Sequence, residues 1–338
     1  MKWTNVCIDS LGYVLPPHVV TSRQLEEAIA PTLNRVGLPV GQLEQLTGVK
    51  ERRWWDEGTV PSTVAAQAGA QALLRAQMKA SDIDLLINTS VCRDHLEPAT
   101  AALVGGKLGL SRHSMCFDVA NACLGFLNGI SLAANMIELG QIETALVVDG
   151  ESSREPVTAT LERLAQADTT SDTLRANYAT LTLGSGAAAA IVRRDRGDGT
   201  GHRLHSAETL SATEHSELCI GDVGEMQTDS HGLLVRGIEL CSQTLPKWVE
   251  TTGWPLETVD EFVCHQVSLT HFLECFKRLN LPLEKALLTF PQLGNVGPAS
   301  LPLTLALGEA QGRIVPGKRL CLFGIGSGLG CTAMGVTW

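Results

Sequence analysis

Six short apolar runs, falling into two sets of three, most constrain what this chain can become. The first set covers residues 83–90, 144–150 and 186–193. The second covers 259–266, 318–326 and 331–338, and its members resemble those of the first in the same order. Each run is seven to nine residues long and reads as a buried strand. Helical apolar patterns lie between them, at 62–76, 123–139, 232–249, 270–279 and 298–311. A strand–helix–strand unit used twice predicts a layered α/β architecture. Residues 1–195 would form one half and 196–338 the other, with the Gly-, Asp- and Arg-rich stretch 193–203 as the joint. The polar segment 158–178 reads as an insertion with its own short helix.

With 338 residues, 44% of them hydrophobic, the chain can bury a large core, in one domain or two fused halves. A net charge of -10 and the lack of a Lys/Arg stripe argue against a nucleic-acid footprint. No uncharged apolar run approaches the length of a membrane span. The start, MKWTNVCIDSLGYVLPP, lacks the pattern of a secretory signal, so the expected location is the cytoplasm. Ten cysteines are scattered without a CxxC pair, which fits reduced thiols. Neither Cys264-His265 nor the Cys116 to Cys123 spacing matches a zinc pattern, so no metal is expected.

Cys123 has the most suggestive surroundings. The run 115–119 reads as a buried strand, Ala120-Asn121-Ala122 as a tight bend, and the residues after Cys123 as a helix. A thiol at a helix N-terminus meets free amides and the positive end of the dipole, which favour thiolate. Taken alone, such a cysteine is more often a small buried hydrophobe. Three further places carry chemistry-bearing residues. His265 ends a strand in FVCHQVS. Asn295 sits in the Gly-rich turn of FPQLGNVGPASLP. GIGSGLG, residues 324–330, separates the last two strands and contains Ser327. That glycine run is no dinucleotide fingerprint, because a strand and not a helix follows it. Its glycines suit close backbone approach, with amides free to bind an oxyanion.

Together these residues resemble the thiolase-fold condensing enzymes, in the branch of the β-ketoacyl-ACP synthases III. The matching pieces are ANACLGF around Cys123, HQVS at His265, GNVGPAS at Asn295, GIGSGLG near the C-terminus and TGVKERRWW at 47–55. The resemblance implies a five-layered αβαβα fold of two pseudo-duplicated halves and a homodimer. Within the branch, INTSVCRDHLEPATAALVGGKLG at 87–109 is similar to the head-to-head condensing thiolases of long-chain olefin synthesis. Departures at 54–58 and 328–330 lie outside the implied chemistry.

The resemblance implies that Cys123 takes an acyl group from acyl-CoA and that the amides of Cys123 and Ser327 hold the oxyanion. A second acyl-CoA would lose an α-proton to Glu97, reaching across from the partner subunit, while His265 and Asn295 stabilise the enolate. The product would be a 2-alkyl-3-ketoacyl-CoA, feeding olefin or β-lactone enzymes. Acyl-CoA is then a substrate, and no cofactor is needed. Read from spacing alone, Glu97 is equally a solvated carboxylate at a helix start, with Pro98 at the first helical position. Arg52, Arg53, Trp54 and Trp55 suit the CoA nucleotide, Arg53 and Trp54 above all, and suit a structural turn just as well. The alternative reading is a decarboxylating synthase III using malonyl-ACP. An acyltransferase without carbon–carbon bond formation and a silent partner subunit are further possibilities.

Overall fold

The computed structural model describes residues 1–222 and 224–338. Its first half opens with β1 (Val6–Val14), the short strand β2 (His18–Thr21) and three small helices, α1 (Ser22–Ala28), α2 (Ala30–Arg35) and α3 (Gln42–Thr47). Strand β3 (Glu51–Trp54) pairs with β2 as a separate ribbon. Then follow α4 (Pro61–Arg75), β4 (Leu85–Asn88), α5 (Thr100–Leu108), β5 (Met115–Asp118), α6 (Gly125–Glu138), β6 (Thr144–Glu151), α7 (Arg154–Leu164), α8 (Ser171–Leu181) and β7 (Gly186–Arg194). The second half runs through β8 (His202–Ser211), the hairpin of β9 (Cys219–Gly221) and β10 (Met226–Thr228), α9 (Ser230–Thr252), β11 (Glu261–Cys264), α10 (Leu269–Arg278), α11 (Phe290–Leu293), α12 (Ser300–Ala310), β12 (Arg319–Gly326) and β13 (Gly330–Thr337).

Strand order exposes the duplication. One sector reads β1-β7-β6-β4-β5 and the other β8-β13-β12-β11. In both, the first three strands are antiparallel neighbours and the next joins in parallel. The runs at 83–90, 144–150 and 186–193 are β4, β6 and β7, and their counterparts are β11, β12 and β13. The sectors meet where β1 and β8 pair over only two registers, Cys7 with Arg203 and Ile8 with His202. These short pairings make one continuous sheet by hydrogen bonding while leaving two faces to be covered separately.

Period-two alternation assigns those faces. Ile87, Ala145, Val147, Ala190 and Val192 point inward to α6 and α12, which also pack on Leu320, Leu322, Met334 and Val336 of the second sector. Leu86, Leu146, Val148, Ala189 and Ile191 point outward to α4 and α5. On the far side, α9 and α10 cover Phe262, Cys321, Phe323 and Ala333. The result is helix, sheet, paired helices, sheet, helix: five layers. Strands covered on both faces explain the unbroken apolar runs.

Two sequence expectations change. The run 115–119 is not a buried strand. β5 ends the sheet order, and Met115 is 42% exposed. The segment 158–178 spans two helices rather than one; α7 and α8 share a small core with Leu25, Leu33 and Leu43.

Candidate active site

Parallel strands send their carboxyl ends to one side of a sheet, and ligand sites gather there. β5 runs parallel to β4, and β4 to β6. Their ends deliver the Cys123 turn, the loop 91–99 and the Asp149–Glu151 strand end. β11 runs parallel to β12 and delivers His265 and Ser327 in the same way.

Cys123 lies two residues before the first residue of α6, not within it. The bend is tight. Ala122 has φ +43°, the left-handed region that costs a non-glycine residue about 1–2 kcal/mol. Leu124 N–H donates to Asn121 O at 3.0 Å and Gly125 N–H to Ala122 O at 3.1 Å. Gly125 presses on β4 so closely that a Cβ there would sit 2.6 Å from Thr89 O. The bend therefore has a fixed position over the sheet. The hairpin from β12 to β13 packs against it: a Cβ on Gly326 would lie 3.4 Å from Cys123 N. Ser327 is the next residue, half-buried, and Gly328 turns the chain with φ +112°. This close approach is what the glycines of 324–330 permit.

The surroundings of the thiol act against the thiolate that a helix terminus would favour. The Cys123 thiol is pushed up to about 12, first by burial, then by the nearby Glu151, Cys219 and Asp149; its backbone hydrogen bond only partly offsets this. Burial outweighs the helix terminus because the thiol sits outside the first turn, where the dipole has faded. Burial thus favours the neutral thiol of Cys123 over the thiolate.

His265 follows β11 and is 8% exposed. Its backbone N–H donates to Phe323 O at 2.9 Å, and its Nδ1 is buried without a partner among the described residues. Burial, with His271 a smaller influence, pushes it down to about 4, so its imidazole is neutral. It lines an apolar cavity with Leu233, Gly237, Cys241, Phe276 and Ile325. Asn295 is held on both sides by backbone, its N–H to Thr182 O and its carbonyl to the N–H of Gly184, both at 2.9 Å. Its Oδ1 accepts from Gly297 N–H at 3.0 Å, which leaves Nδ2 to donate outward.

Glu97 is exposed in this chain, on the loop between β4 and α5. It does not start a helix. α5 begins at Thr100, and Asp118 accepts from the N–H groups of Thr100 (3.0 Å) and Ala101 (2.8 Å). The helix-start role considered for Glu97 and Pro98 belongs to Asp118. Arg52 is fully buried, donating to Val20 O, Ser22 Oγ and Leu181 O. Trp55 is buried too, its Nε1 donating to Glu151 O at 2.9 Å. Neither is available to a nucleotide. Arg53 and Trp54 are half-buried, Arg53 donating to Pro16 O at 3.2 Å and Trp54 lying under the Arg154 guanidinium.

Two acids escaped the sequence reading. Asp149 and Glu151 end β6, both buried. Acids alternating at the end of an otherwise apolar strand, VVDGE, were the available signal.

Comparison with known proteins agrees with this arrangement. Residues 117–211 match the model of 3-oxoacyl-[acyl-carrier-protein] synthase III, and residues 249–338 that of its C-terminal part. The chain is 43% identical to an acyl-CoA:acyl-CoA alkyltransferase of Xanthomonas campestris pv. campestris, over the whole of both chains. It is 40% identical to one of Shewanella oneidensis, again over all of both. A crystal structure of a cysteine-to-serine variant of X. campestris OleA, with bound lauric acid and lauroyl-CoA, superposes with a TM-score of 0.97. That pair is 42% identical, covering 99% of this chain and 100% of that one. The chain belongs to the 3-oxoacyl-[acyl-carrier-protein] synthase III family, in the branch of the OleA proteins.

Proposed function

We propose that this protein joins two long-chain acyl-CoAs by a Claisen condensation without decarboxylation, releasing free CoA and a 2-alkyl-3-ketoacyl-CoA. The observation that carries the reading is the packing of the Cys123 turn against the Gly326–Ser327 hairpin, on strand ends that also bear His265 and its apolar cavity. The choice of a simple acyl-CoA as second substrate follows the alkyltransferase relatives. Solved variants of the X. campestris protein alter one glutamate, one cysteine and one histidine, at the same mutual separations as Glu97, Cys123 and His265 here.

In the first step the Cys123 sulfur attacks the acyl-CoA carbonyl. The amides of Cys123 and Ser327 hold the tetrahedral oxyanion, the bond to CoA breaks, and the thiol proton leaves with CoA. The acyl chain occupies the cavity beside His265. In the second step Glu97 of the neighbouring subunit removes an α-proton from the second acyl-CoA. His265 and Asn295 Nδ2 donate to the enolate oxygen, for which a neutral imidazole is a suitable donor. The enolate carbon attacks the Cys123 thioester, the sulfur leaves, and the proton taken up by Glu97 passes to it, restoring thiol and carboxylate. The sequence of steps calls on no cofactor. Arg53 and Trp54 hold the CoA nucleotide through their exposed portions.

A homodimer follows from the same reading. β5 is an unpaired sheet edge, and apolar side chains crowd outward near it: Met115 at 42%, Val91 at 53% and Leu96 at 88% exposure. Apolar edges of this kind are normally covered by a partner. The same face carries the Glu97 loop toward a second copy. Placement in olefin or β-lactone synthesis, in the cytoplasm, completes the proposal.

Glu97→Ala tests the base. Cys123 should still be acylated by acyl-CoA, seen as a mass increase of the intact chain. Condensation should fall by about 100-fold or more, the range of a positioned general base. A variant condensing at the parent rate would overturn the assignment.

A further inference from the structure

Glu151 is 5% exposed at the end of β6, and among the described residues it forms no ion pair. Its oxygens accept two backbone amides instead, Val91 N–H at 2.6 Å and Cys92 N–H at 3.3 Å. These are the first two residues of the loop that carries Glu97. Among the described residues the loop has three other anchors, one of them the Cys92 thiol, which donates to Ser152 O at 3.2 Å. Asp94 accepts from Ser62 N–H at 2.8 Å and from the Ser62 hydroxyl, and Asp118 holds the start of α5. Asp94 and Asp118 face the outer helices. Among the described residues, Glu151 is the one side chain that holds the loop's backbone amides from the site side, beside the Ser152 carbonyl that accepts from Cys92 Sγ.

It also touches the other working parts. A Cβ on Gly297, in the turn that holds Asn295, would lie 3.7 Å from the Glu151 Cγ and Cδ. Glu151 is the foremost charged neighbour of Cys123. Asp149, on the same face of β6, is a buried carboxyl neighbour of Glu151 and accepts from Thr89 Oγ1 at 2.6 Å. One buried carboxylate thus connects the loop of the base, the Asn295 turn and the surroundings of the nucleophile.

We propose that Glu151 is a positioning residue for condensation: it registers the Glu97 loop against the Asn295 turn, through the Val91 and Cys92 amides. The inference rests on Glu97 being the base. Because that base acts in the neighbouring subunit's site, Glu151 sets the geometry of a step that its own Cys123 does not perform. Burial raises Glu151 to about 7 and holds Asp149 well above the carboxylate range.

The test separates the two half-reactions. In Glu151→Ala, and in Glu151→Asp, whose carboxylate falls one methylene short of the amides, acylation of Cys123 should stay within about threefold of the parent, and condensation should drop about 100-fold, as a misplacement near 1 Å would cause. Glu151→Gln keeps an oxygen for the Val91 N–H and should retain condensation within about fivefold. Acyl-enzyme should accumulate in the first two variants and not in the third. A merely structural role would lower both half-reactions together, and that result overturns the proposal. So does parent-like condensation in Glu151→Asp, or a Gln variant no better than Asp. Glu97→Gln assayed alongside distinguishes the failures. If it condenses normally the base reading falls; if it stops while Glu151→Asp continues, only the positioning role falls.

Discussion

Burial, together with the carboxyls of Glu151 and Asp149, pushes the Cys123 thiol up to about 12. The sign of the pH dependence follows. Thiolate is the reactive form, and its fraction grows tenfold per pH unit below the pKa. Iodoacetamide labelling of Cys123 in the free enzyme, read by peptide mass spectrometry, should therefore keep rising by about tenfold per unit from pH 7 to 10. A plateau above neutral pH would mean a stabilised thiolate. Single residues were unevenly legible in the sequence. Cys123, His265, Asn295 and Ser327 each sit in a local motif that announces a bend, a strand end or a glycine hairpin. Asp149 and Glu151 do not, because a buried acid acquires meaning only from the amides and turns that fold against it. The ionisation of Cys123 was misread for the same reason: the helix terminus is local, and burial is not.

At the scale of elements, the turn between α11 and α12 depends on one neighbour. Leu183 bridges to Asn295, and Gly184 donates its N–H to the Asn295 carbonyl at 2.9 Å. A Cβ on Gly184 would collide with Leu293 O, so the two strands of chain approach only because that residue is glycine. Gly184→Ala should displace the Asn295 turn and cut condensation by about 10-fold or more, with acylation of Cys123 less affected, when product formation and chain mass are followed together. Equal activity would show that the turn tolerates the shift. Long helices were readable from apolar period, and α4, α6, α9, α10 and α12 begin and end close to their patterns. The first sixty residues were not. Helices α1 to α3 are six or seven residues long, too short to show a period. β1 interleaves Asp9, Ser10 and Gly12 with its apolar residues because it serves the seam between both sectors.

The whole molecule is a duplicated layer structure, and on the proposed reading its two copies contribute different chemistry, the nucleophile from one and the His and Asn from the other. Repeated strand order was legible because apolar runs recur in the same sequence, whereas the exposed edge at β5 was not, since a four-residue apolar strand reads alike at an edge or a centre. On the proposed reading, the exposed Glu97 loop makes assembly part of the function. Coexpressed Cys123→Ala and Glu97→Ala subunits, each inactive alone, should together recover roughly a quarter of parent condensation, from the one complete site in each mixed dimer. No recovery would place Glu97 in the site of its own chain. The central claim, that two acyl-CoAs are joined without a decarboxylating donor, is tested most directly by incubating the purified protein with myristoyl-CoA alone and following CoA release and lipid product by mass spectrometry. The account predicts CoA release together with a 3-keto product built from two myristoyl chains. CoA release and carbon–carbon bond formation that appear only after malonyl-CoA or malonyl-ACP is added would contradict it.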